Sequence, residues 1–134
     1  MRRGARSYYY FFSSGVSKAE SGAWRPNTDI YETDDHVVVC LEVAGVSPGD
    51  ISVMHHVDRL VVRGVRRPES GPSPKRFHQI EIVCGEFEKE ILLSGPLRGA
   101  HVEATLSLGV LSLRISKESA GKGPDETSVP IDYE

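Results

Sequence analysis

The sequence predicts an all-β fold, an immunoglobulin-like antiparallel β-sandwich with flexible N- and C-terminal extensions. Three observations carry this. About eight short runs alternate apolar and polar residues, the period of a half-buried strand. Turn signals recur roughly every 8–12 residues, and no stretch of useful length keeps a helical period.

The runs are taken in order. Asp29-Ile30-Tyr31-Glu32 is a short strand ended by Thr33-Asp34-Asp35. From His36 to Val43, Val37, Val39, Leu41 and Val43 share one face, which makes this the strongest strand. Ala44 to Asp50 is a turn-rich loop containing Gly45, Pro48 and Gly49. Ile51 to His55 and Leu60 to Val65 are strands joined through Val57-Asp58-Arg59. Arg66 to Lys75 holds Pro68, Pro72 and Pro74 and cannot pair inside a sheet. Phe77 to Val83 and Phe87 to Leu93 are further strands. Val102 to Leu106 and Val110 to Ile115 form a hairpin turning at Gly109, where a tight turn needs positive φ. Residues 116–128 have the Ser, Lys, Gly, Pro and acidic composition of a flexible linker, and Val129-Pro130-Ile131 follows as an isolated apolar spot.

Length and composition suit one domain with tails: residues 1–23 an arm, 24–116 the domain, 117–134 an extension. Net charge is −3 over 134 residues and is uneven. The first 26 residues hold Arg2, Arg3, Arg6, Lys18 and Arg25 against Glu20, whereas the last residues are acidic. Neither end has the charge density expected for nucleic acid. Cys40 and Cys84 lack metal or disulfide-framework spacing and read as reduced, mostly buried thiols. No apolar run reaches membrane-spanning length, and the aromatic run near the N-terminus lacks the pattern of a signal peptide.

The chemistry-bearing residues do not converge. His36, His55, His56, His78 and His101 lack chelating spacing, and adjacent His55 and His56 point to opposite strand faces. Glu86, Glu88 and Glu90 read as one outward strand face, and Arg63, Arg66 and Arg67 as a solvated basic strand end. No phosphate loop or nucleophile elbow occurs. The expectation is a non-enzyme with no cofactor and no metal.

Four motifs resemble those of the small heat-shock proteins, which share the alpha-crystallin domain. They are the A-x-x-x-n-G-V-L signature at Ala104 to Leu111; W-R-P followed by D-I-Y-E-T-D-D at Trp24 to Asp35; G-x-F-x-R-x-x-x-L at Gly85 to Leu93; and a V-x-I motif at Val129 to Ile131. Leu108 stands where that family usually has Asn or Asp, which points to a turn other than the usual primed type. Lys89 replaces the usual arginine and lacks its bidentate fork.

The resemblance implies a cytoplasmic, ATP-independent holdase that forms homodimers and larger homo-oligomers and binds non-native client proteins. It implies a dimer interface of Ile30, Tyr31, Phe77, Ile80, Ile82 and Lys89, with the Phe77–Ile82 strand exchanged onto the partner's first strand. Nucleic acid and stable membrane insertion are not expected. Physical reasoning adds the working parts. Tyr8, Tyr9, Tyr10, Phe11 and Phe12 form an adhesive arm for clients and assembly. Val129 and Ile131 are oligomer-docking knobs, each burying about 1.5–3 kcal/mol of side chain. Ile51, Val53, Val102 and Ala104 line their groove on another subunit. The alternative is a monomeric scaffold or co-chaperone module on the same sandwich; the C-terminal motif and the exchange loop speak against it.

Overall fold

A computed structural model describes residues 24–93, 95–118 and 125–134. The arm Tyr8 to Phe12 lies outside the described residues. Among the described residues there are nine strands: β1 Thr28–Glu32, β2 His36–Glu42, β3 Ile51–His56, β4 Arg59–Arg66, β5 Gly85–Leu92, β6 Val102–Ser107, β7 Val110–Ser116, β8 Glu126–Ser128 and β9 Ile131–Tyr133. They form two sheets, β1-β2-β7-β6-β9 and β5-β4-β3-β8. All pairings are antiparallel except β6 with β9.

The sheets meet over the alternating residues. Val39 and Leu41 of β2, Leu60 and Val62 of β4, and Leu111, Leu113 and Ile115 of β7 are fully buried. Central strands β2, β4 and β7 thus carry the core. Phe87 from β5 packs edge-on to Trp24, with ring centroids 4.8 Å apart. That packing requires Gly64, because a Cβ there would lie 2.6 Å from the Phe87 ring and 2.8 Å from the Asp50 carbonyl.

Three expectations change. Phe77 to Val83 is not a strand in this single chain; it stays exposed, Phe77 by 64% and Ile82 by 77%. Its alternation is real, but a strand also needs a paired edge, and none of the described strands pairs with it. Glu126 to Ser128, read as linker, is β8, because the outer edge of β3 offers ladder partners to any extended backbone. Cys40 and Cys84 are half-buried rather than buried.

The β6–β7 turn is also corrected. Leu108 has φ 50° and Gly109 φ 81°, the two successive positive values of a primed hairpin turn. Leu108 is 98% exposed, so packing does not offset its left-handed backbone. Leu108→Asn is expected to stabilise the fold by about 1 kcal/mol through relief of that strain. Urea unfolding measures it; a lower midpoint would contradict the account.

Candidate functional site

The site of interest is the long side of the sandwich where β3 of one sheet and β6 of the other would both be edges. The C-terminal tail fills it. β8 runs antiparallel to β3, with Met54 opposite Ser128 and His55 opposite Thr127. The Val129 N–H then donates to the Val53 carbonyl at 2.9 Å. Pro130, whose lost N–H costs no ladder bond here, carries the chain across to the other sheet. β9 joins β6 in parallel, Ile131 opposite Ala104 and Tyr133 opposite Leu106. The ladder closes with Glu134 N–H donating to the Leu106 carbonyl at 3.1 Å.

Val129 is 7% exposed and belongs to the core cluster, and Ile131 packs against it half-buried. Ile51, Val53, Val102 and Ala104 are buried around them. The structure therefore brings the six expected groove and knob residues together. It does so within one chain, where another subunit's tail was expected.

The expected dimer residues do not converge in the single chain. Ile30 packs partly on the core while Tyr31 is exposed on β1, whose outer edge is unpaired among the described strands. Phe77, Ile80 and Ile82 stand exposed in residues 67–84, the long connection between β4 and β5. Lys89 is half-buried on β5, sharing strand parity with Phe87 and Ile91.

Arg66 is a structural residue that sequence reasoning missed. Its Nε and Nη2 donate to the Val83 carbonyl at 3.0 and 2.7 Å, and Nη1 donates to the Ala44 carbonyl at 3.1 Å. The guanidinium carbon lies 3.8 Å from the Trp24 ring centroid. One side chain thus ties both ends of the 67–84 connection to the residue opening the domain. Nearby cations are engaged too. Arg63 pairs with Glu88 at 2.9 Å, and Arg67 grips both Asp50 oxygens at 3.1 Å. The Arg67 guanidinium holds the Asp50 carboxyl below the ordinary carboxylate range, chiefly by hydrogen bonding. The expected solvated basic patch is therefore a set of surface clasps.

His55 sits on the Ile51–Val53 face of β3, under the entry of β8. Its Nε2 is buried without a hydrogen-bond partner. Burial, then the neighbouring His56 and His101, push its pKa below the ordinary value. Surrounding charges are mixed: Glu103 lies beside His101, Arg59 pairs with Glu90 and Asp58, and Glu126 stands opposite His56. The folded chain resists the His55 proton, whereas the unfolded chain takes it up near pH 6.5. His55 therefore leaves stability intact above about pH 6.5 and reduces it as pH falls below. Melting temperature is expected to drop from pH 7.5 to 5.5, and to drop less in His55→Gln. Equal drops in both proteins would remove His55 from the account.

Among the described residues, no helix is long and apolar enough to cross a membrane. The family model for the Hsp20/alpha crystallin family matches residues 29–132. The chain is 29% identical to small heat shock protein C2 of Rickettsia felis over 112 residues, 84% of this chain and 73% of that protein. It is 32% identical to spore protein SP21 of Stigmatella aurantiaca, over 71% of this chain and 56% of that one. Among solved structures, hspA from Xanthomonas axonopodis matches with TM-score 0.62 and 32% identity, covering 73% of this chain and 98% of that one. A small heat-shock protein from Xylella fastidiosa, described as having a distinct high order structure, matches with TM-score 0.64 and 31% identity over 75% of this chain and 93% of that one. With the family pattern spanning both sheets and the docked tail, the chain belongs to the Hsp20/alpha crystallin family, the small heat-shock proteins.

Proposed function

We propose that the chain is a cytoplasmic, ATP-independent holdase that assembles from dimers into larger oligomers and keeps partly unfolded proteins from aggregating. The observation that carries the reading is the seating of Val129 and Ile131 between β3 and β6. A groove that accepts this tail from its own chain accepts the same tail from another copy. Swapping donors then links subunits without creating any new contact type. In this reading residues 1–23 are an arm, 24–116 the assembly domain and 117–134 the linking extension.

Dimer formation uses the other side of the sandwich. Phe77, Ile80 and Ile82 stand exposed on the 67–84 connection, with Ile80 and Ile82 at the two-residue spacing of one strand face, and β1 has an edge left open by the other described strands. Pairing across two copies would bury three large apolar side chains that water now surrounds, and would satisfy the β1 edge. Ile30, Tyr31 and Lys89 are assigned to that contact. Tyr8 to Phe12 are assigned to clients, since five adjacent aromatics supply broad, nonspecific apolar contact.

Two measurements test the reading. Deleting Val129 to Glu134 is expected to shrink the assembly seen by light scattering, and unchanged size would sink the tail-linked oligomer. Replacing Tyr8 to Phe12 with serine is expected to raise several-fold the chaperone-to-client ratio needed to suppress aggregation of a heat-denatured enzyme. An unchanged ratio would discard the arm as client site. Elution of the full chain as a monomer at all concentrations would favour the scaffold module instead.

A further inference from the structure

The tail does not stop contacting the groove at Ile131. In an extended segment every second side chain faces the same way, so Val129, Ile131 and Tyr133 share one face while Pro130 and Asp132 share the other. The observed burial follows this: Val129 is buried, Ile131 half-buried, and Pro130 and Asp132 are exposed. Tyr133 is the third member of the inward series. Its ring is half-exposed, but its hydroxyl donates to the Pro48 carbonyl at 3.2 Å.

Pro48 opens the 3₁₀ turn Pro48–Asp50 that leads into β3. Its carbonyl already accepts the Ile51 N–H, and a carbonyl has a second lone pair for the phenol. Tyr133 itself lies on β9, in the sheet of β6. The side chain thus reaches back from one sheet to the approach of the other. The tail touches the β3 sheet at Val53, crosses to β6, and touches the β3 approach again at Pro48.

We infer that the groove has a third subsite, formed by the Pro48 carbonyl and the Leu106 end of β6, and that it takes Tyr133 of the tail. The recognition element is then the five-residue run Val129-Pro130-Ile131-Asp132-Tyr133. Its occupant is the C-terminal segment of this chain, in its own groove or in a second copy's. A tail that carries only the two aliphatic knobs leaves the third subsite empty. Tyr133 therefore adds a hold on the groove that the two aliphatic knobs alone do not supply. The inference rests on the groove being the tail's docking site.

Hydrogen exchange on the full-length protein tests both and separates them. The readout is exchange over residues 125–134, which include the bonded amides of Val129 and Glu134. Tyr133→Phe removes the hydroxyl alone and is expected to speed tail exchange about two- to fivefold, the range of a modest net hydrogen bond. Tyr133→Ala is expected to speed it further, and Val129→Ser with Ile131→Ser to abolish protection. Wild-type exchange in Tyr133→Phe and Tyr133→Ala, with protection lost in the double serine variant, would overturn the third subsite and leave the docking site standing. Wild-type exchange in all three would overturn both.

Discussion

Two open sheets stacked face to face have four edges, and every edge presents unpaired backbone groups and a view into the core. In this chain the constraint is sharpest where β3 and β6 run along the same side, because Ile51 and Val53 of β3 and Val102 and Ala104 of β6 are buried core residues. The tail answers both needs. β8 and β9 extend the two ladders, and Val129 inserts between the sheets as part of the core cluster. The opposite edges are managed differently. β5 carries Glu86, Glu88, Lys89 and Glu90, which discourage further pairing, and its Glu88 and Glu90 meet Arg63 and Arg59 of the adjoining β4. Such surface pairs each contribute about 0–1 kcal/mol. β1 is less guarded, with Ile30 and Tyr31 at its centre.

The 67–84 connection leaves and rejoins the domain beside β4 and β5, and Arg66 governs its base. The guanidinium accepts stacking from Trp24 on its face while its edges reach the Val83 and Ala44 carbonyls. Trp24 in turn meets Phe87, which fits only because Gly64 has no side chain. A chain of close packing thus links the opening residue, β4, β5 and the return of the long connection. Lysine at 66 would supply one charge but not the planar fork that spans two carbonyls and a ring. The exposed Phe77, Ile80 and Ile82 are projected from a base held in one geometry.

The central strands were legible because burial on one face imposes period two on the residues themselves, as at Val37, Val39 and Leu41 or Leu111, Leu113 and Ile115. The proximity of Val129 and Ile131 to the inward residues of β3 and β6 follows from the same period, though within one chain where another subunit's tail was expected. β8 was not legible, because Glu126-Thr127-Ser128 pairs through backbone alone and leaves no side-chain pattern. Phe77 to Val83 misled in the opposite way: it has strand alternation but no partner edge in the single chain. Leu108 shows a third limit. Residue type disfavours positive φ, yet the hairpin twist between β6 and β7 imposes it, and the tertiary pairing prevails. Arg66 looked like a solvated charge because its partners are backbone carbonyls, which sequence does not distinguish.

A tail that fills its own groove would make the proposed assembly a competition between equivalent contacts. Whether Val129 and Ile131 come from the same chain or from a second copy, the buried side chains and ladder bonds are the same. The apolar free energy therefore cancels, and the choice falls to the linker and to local concentration. A short tether keeps its own tail near its groove at a level on the order of millimolar. A neighbouring subunit competes only when it is held at similar density, which a dimer partner joined through the β1 edge would provide. In the proposed assembly, strong seating of the tail is no barrier to linking subunits, since each groove that gives up one tail would receive another. What would bias the balance is anything that differs between the two arrangements, chiefly the spacing of neighbouring grooves.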